Sequence, residues 1–74
     1  MKHLRFTAII EREDDGYVAL CPEIDVASQG DTVEEARQNL REAVELFFES
    51  ASHTEVTRRL TGERHIETLE VEVA

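Results

Sequence analysis

The stretch from Val33 to Ala51 constrains this chain more than any other. Val33, Ala36, Leu40, Ala43, Val44, Phe47 and Ala51 recur at spacings of three and four, which on a helix form one apolar stripe. Glu34, Arg37, Arg41, Glu45 and Glu49 fall off that stripe. Thr32, with Glu35 three residues later, forms a capping box, in which hydroxyl and carboxylate each satisfy an otherwise orphan backbone donor. A helix is therefore expected to begin at Val33. Leu46 and Phe48 sit at the margins of the stripe and stay partly exposed unless something covers them. An amphipathic helix must bury its stripe against another layer, so the remaining sequence has to supply a sheet or more helices.

It supplies strands. From His3 to Glu13, Leu4, Phe6, Ala8 and Ile10 alternate with His3, Arg5 and Thr7, the period of a half-buried strand. Asp15 and Gly16 separate it from a second apolar run, Tyr17 to Cys21, and Gly16 is expected to take the positive φ of a tight hairpin turn. Pro22 lacks a ladder donor and ends that strand. Val26 to Gln29 then reads as a short third strand, closed by turn chemistry at Gly30 and Asp31. After the long helix, Ser52 with Glu55 repeats the start signal, Gly62 is placed to end a short helix, and Val56 and Leu60 offer it one docking face. Leu69, Val71 and Val73 alternate with Glu70 and Glu72, predicting a last strand with the apolar residues inward; Ile66 is out of phase. The expected fold is α+β, a two-layer βββαβ domain: a three-stranded antiparallel meander, a last strand beside the first, and one long helix packed on the sheet.

At 74 residues the chain is read as a single domain, residues 1–74. A domain this small buries only about 60% of the surface its unfolded chain exposes, so association with itself or with a partner is expected. One cysteine excludes an internal disulfide, and the N-terminus lacks the apolar run of a signal peptide, which fits a cytoplasmic setting. No apolar stretch approaches the roughly 20 residues of a membrane helix. Seventeen acidic against eight basic side chains give a net charge of −9, which opposes attraction to phosphate backbones and favours encounter with a basic protein surface. Acidity also keeps a small protein soluble, with no further role required.

Few residues offer catalytic chemistry. Cys21 is the one candidate nucleophile, but a catalytic thiol needs a base and a depressed pKa, and the neighbouring Glu23 raises it instead. Packing beside Tyr17 and Ala19 suits Cys21 better. His3, His53 and His65 are widely spaced and form no helical ligand pair, so zinc binding would require convergence with Cys21. The many carboxylates raise a metal-dependent nuclease as a possibility, yet the inward positions read Phe6, Ala8, Leu69 and Val71. Gly30 has neither the glycines nor the lysine of a phosphate loop. No catalytic residue, cofactor or metal site is expected.

The segment "GYVALCPEIDVASQGDTVEEARQNLREAVELFFE", Gly16 to Glu49, resembles the HicB family of antitoxins. That family shows a Gly-aromatic strand, a Pro-Glu connection, a "GDT" or "GET" turn and an "EEA...NL.EA" helix in the same order. Gly16, Pro22, Gly30, Thr32 and Glu35 carry the match. The resemblance implies a partial ribonuclease-H-like fold without the nuclease's catalytic acids. It also implies a partner, HicA, a small basic toxin that cleaves messenger RNA and is neutralised when its active site is blocked. On that basis Glu23, Asp25, Asp31 and Glu34 are candidates for meeting the toxin, and Leu46 and Phe48 for contacting a partner or a second copy. Longer HicB relatives add a C-terminal DNA-binding segment; this sequence stops at Ala74, so no operator binding is expected of this chain alone.

Two readings follow from the sequence. One is a toxin-neutralising module of a type II toxin-antitoxin pair. The alternative is an orphan HicB-like domain, structural or regulatory, that works as a homo-oligomer. A carboxylate-dependent hydrolase is a distant third.

Overall fold

The computed structural model describes residues 4–74. Three strands, β1 (Ile9–Glu13), β2 (Gly16–Cys21) and β3 (Val26–Gly30), form an antiparallel sheet in the order β1-β2-β3. Two helices follow, α1 (Val33–Ser50) and α2 (His53–Thr61). The α+β class, the meander and both helices thus agree with the sequence reading.

In the sheet Ile10 stands opposite Ala19 and Tyr17 opposite Gly30, which turns Ile10, Tyr17, Ala19, Cys21 and Val26 toward α1. The helix answers with Ala36, Leu40, Val44, Phe47 and Phe48. The fully buried core is small: Ala19, Cys21, Ile24, Ala36 and Leu40. Thr32 caps α1 as expected, its hydroxyl accepting from the Glu35 amide at 3.0 Å. The Glu35 carboxylate reaches one residue further back than in the usual box, accepting from the Asp31 amide at 3.0 Å. Ser52 caps α2 in the same way, accepting from the Glu55 amide at 3.1 Å.

Three expectations are corrected. The first strand begins at Ile9 and not near the N-terminus. Its ladder ends where Ile9 meets Leu20; β2 turns away after Cys21, and among the described residues no strand pairs with the segment 4–8. The part of that expectation on His3 lies outside the described residues. In the hairpin, the positive φ falls on Asp14 (53°) and not on Gly16. Gly16 is required for space instead: a Cβ there would lie 2.9 Å from the Gly30 carbonyl oxygen.

The third correction is the last strand, which does not form. Residues from Gly62 onward leave α2 without regular structure, and Leu69, Val71 and Val73, expected inward, are 83%, 70% and 87% exposed. A strand exists only where an edge pairs with it. Gly62 donates to the Arg58 carbonyl at 3.2 Å, and among the described residues no backbone hydrogen bond ties the chain beyond it to the sheet.

Candidate functional site

The sheet has two ends, and each gathers acids by a different route. At the hairpin end, Glu13 pairs with Gly16 across the two-residue turn Asp14–Asp15, and Tyr17 pairs with Gly30 on the next strand. Two glycines make the strands and the helix converge there. A Cβ on Gly30 would stand 2.5 Å from the Ala36 amide nitrogen, so the end of β3 runs against the first turn of α1 as only glycine allows. The convergence leaves a shallow hollow whose acidic lining is Glu13, Asp14, Asp15, Asp31 and Glu35. Glu35 is engaged in the cap, while the other four carboxylates face solvent in exposed residues.

The opposite end holds Glu23 and Asp25, in the turn between β2 and β3. Glu23 is committed to the fold. Both of its oxygens accept from the Thr7 amide, at 3.0 and 2.9 Å, and one accepts from the Thr7 hydroxyl at 2.6 Å. Partial burial alone would raise the pKa of this carboxyl; the bonds from the Thr7 hydroxyl and amide, from its own amide and from the Cys21 thiol outweigh that and hold it below the ordinary range. Asp25 is exposed with φ at 54°.

The four interface candidates are therefore split. Asp31 and Glu34 lie at the start of α1, Asp31 in the hairpin-end hollow, whereas Glu23 and Asp25 lie a strand length away. The sequence reading missed Glu13, Asp14 and Asp15 as neighbours of Asp31. The signal was present in the two turns, "EDDG" and "GD", which a two-residue hairpin and an antiparallel third strand bring to the same end of the sheet.

Cys21 is 1% exposed, and its thiol lies 3.5 Å from a Glu23 oxygen. Burial first, then the neighbouring Glu23 carboxylate, push the thiol pKa up against the lowering effect of the Ile24 and Glu23 backbone. A buried, protonated thiol is a packing group and a poor nucleophile at neutral pH. His53 and His65 are exposed, in α2 and in the segment after it, and His3 lies outside the described residues. Among the described residues no cluster of three His, Cys, Asp or Glu side chains could hold a metal ion. Of the two apolar margin residues, Phe48 is partly covered by Phe6, ring centroids 5.8 Å apart, while Leu46 remains 59% exposed. No helix among the described residues is long and apolar enough to cross a membrane.

The chain is similar to several small bacterial proteins. UPF0150 protein ssr1765 of Synechocystis sp. is 49% identical over 57 residues, covering 72% of each chain. UPF0150 protein ssl0738 of the same organism is 46% identical over 65 residues, covering 85% of this chain and 89% of the relative. A UPF0150 protein of Helicobacter pylori is 44% identical over 42 residues, covering 55% of this chain and 58% of the relative. No family model and no solved structure matches the chain. With identity this high over most of both chains, the protein belongs to the UPF0150 family.

Proposed function

We propose that this chain is a HicB-like antitoxin that binds and blocks a small basic, HicA-like, mRNA-cleaving toxin. The observation that carries the reading is the hairpin-end hollow, where Glu13, Asp14, Asp15 and Asp31 present carboxylates at one end of the sheet. A group of fixed anions in a chain of net charge −9 suits the basic surface of a nuclease that expects RNA. The motif order from Gly16 to Glu49 supports the same reading, as do the three-stranded antiparallel meander and the long helix that follows it.

The test is co-expression with the small basic reading frame encoded next to this one. That neighbour should be toxic alone, silent with this chain, and should copurify with it. The double variant Asp15→Lys, Asp31→Lys should weaken the complex at low salt by at least about tenfold, because both residues are exposed and their charge is reversed at the hollow. Failure to copurify, or a complex indifferent to the two reversals, sinks the reading. A second reading, a homo-oligomeric interaction domain without a toxin, is favoured by the apolar side chains left open at Leu46, Leu69, Val71 and Val73.

A further inference from the structure

The chain exposes 6435 Å² of surface. A folded monomer of 8.5 kDa is expected to expose roughly 4,650 Å². The excess is about twice the ~800 Å² that each partner buries in a standard protein interface. Two exposed features of the chain complement each other.

The first is a receptor. The order β1-β2-β3 leaves β1 at an edge, and among the described residues no strand pairs with its outer side. At the other edge, the Asn39 side-chain amide donates to the Gln29 carbonyl at 2.8 Å, so β3 is already blunted by α1. Beside the segment leading into β1, a groove opens toward α1, floored by Phe6, Val44 and Phe48. Its cations, Arg5, Arg37 and Arg41, outnumber its acids, Glu45 and Glu49. A strand laid along this edge would turn alternate side chains into the groove.

The second is an occupant of that description. Residues 68–73, Thr-Leu-Glu-Val-Glu-Val, keep a strict period of two, with Leu69, Val71 and Val73 on one face and Glu70 and Glu72 on the other. Among the described residues those three are the most exposed large hydrophobics, and no backbone hydrogen bond ties the segment to the sheet.

We propose that the carboxy-terminal segment Thr68–Val73 of one copy adds as a strand alongside Leu4–Ile10 of a second copy, where the chain leads into the free edge of β1, with Leu69, Val71 and Val73 seated over Phe6, Val44 and Phe48, and that the exchange is reciprocal. Pairing lies toward Leu4–Ile10 because Arg5 stands there, whereas Glu11 and Glu13 further along β1 repel Glu70 and Glu72. Segment and edge occur in the same sequence, so two copies satisfy each other with a two-fold interface and no third component. The exchange stands independently of the toxin reading, since the acidic hollow lies at the hairpin end.

Light scattering on the purified full-length chain tests it. The wild type should be a dimer. The double variant Leu69→Asp, Val71→Asp should raise the dimer dissociation constant by on the order of a hundredfold or more, with unchanged helical circular dichroism, because neither residue contacts its own core. Arg5→Glu, an exposed residue on the face that Glu70 and Glu72 would share, should weaken the dimer severalfold at low salt and less at high salt. A wild-type monomer overturns the proposal, whether its tail is free, folded onto its own edge, or captured only by a basic partner protein. A dimer that survives the Leu69→Asp, Val71→Asp change overturns it equally.

Discussion

Glu23 stands in for the missing rung of a β-ladder. Its carboxylate takes the amide and the hydroxyl of Thr7, sixteen residues earlier in the chain, at the point where β2 has already turned away. A side chain thereby does what a neighbouring strand would have done: it satisfies the Thr7 backbone donor and fixes the path of the segment carrying Phe6. Phe6 in turn reaches Phe48 at the far half of α1, so one carboxylate helps decide how sheet and helix meet.

The first prediction concerns pH. Glu23 has a folded-state pKa below its ordinary value of 4.5, so its contribution is fully present above that value and is lost as pH falls through the depressed one. Glu23→Gln should cost about 1–2 kcal/mol at pH 7, less than three charge-assisted bonds would sum to, because Thr7 is exposed. The penalty should shrink toward zero at acid pH, where the wild-type carboxyl is also protonated. Urea unfolding at pH 7 and pH 3 checks both halves; an equal penalty at the two values would show that Glu23 acts through packing alone.

Thr32 carries the second. Its hydroxyl is the cap of α1, and Thr32→Ala should cost about 1 kcal/mol. For a domain of this size that lowers the melting temperature by roughly 4–8 °C, while Thr32→Ser should leave it nearly unchanged. An unaltered melting temperature in the alanine variant would mean the first turn is held by Glu35 and the Asp31 amide without the cap.

Much of this fold is legible in local patterns. The stripe from Val33 to Ala51, the caps at Thr32 and Ser52, and the alternation around Ala19 and Cys21 each encode an element within a few residues, and the structure forms those elements. What local pattern does not encode is whether a partner is in reach. Leu69, Val71 and Val73 have the period of a strand, yet period specifies a face and not an edge to pair with. The same limit hid the acidic hollow, since Asp14 and Asp31 become neighbours only through the register that sets Tyr17 against Gly30. It also hid the role of Glu23, whose bond to Thr7 depends on where β2 stops.

Gly30 gives the third prediction. Gly30→Ala places a Cβ 2.5 Å from the Ala36 nitrogen and 2.8 Å from the Glu35 carbonyl carbon, both backbone atoms of α1 that cannot swing aside. Helix and strand must move apart, loosening Leu40 from Ala19, at about 1–3 kcal/mol. Gly16→Ala meets the Gly30 carbonyl oxygen at 2.9 Å, a milder conflict at the sheet margin. Thermal unfolding should therefore rank wild type above Gly16→Ala above Gly30→Ala, and the reverse order for the two glycines would place the tight junction at the hairpin.

The last prediction concerns how α2 is held. The sequence offers Val56 and Leu60 as its docking face; Val56 is half-buried, but Leu60 is 47% exposed and α2 has no fully buried residue. Arg59 adds the polar part of the docking. Its guanidinium lies 5.2 Å from the centre of the Phe47 ring, donates to the Ile24 carbonyl beside the core, and is steadied by Glu55 at 3.0 Å. Arg59→Ala removes a cation over an aromatic face and leaves that carbonyl without its donor, about 1–2 kcal/mol together. Because α2 follows the core in the chain and contributes none of it, the loss should be local. Amide hydrogen exchange across 53–61 should accelerate severalfold while exchange at Ala19 and Leu40 is nearly unchanged. Arg59→Lys keeps the charge near Phe47 but lacks the planar fork that reaches ring, carbonyl and carboxylate at once, so it should restore only part of the protection. Equal acceleration in core and helix would mean that α2 unfolds together with the sheet, and that Arg59 secures the whole domain.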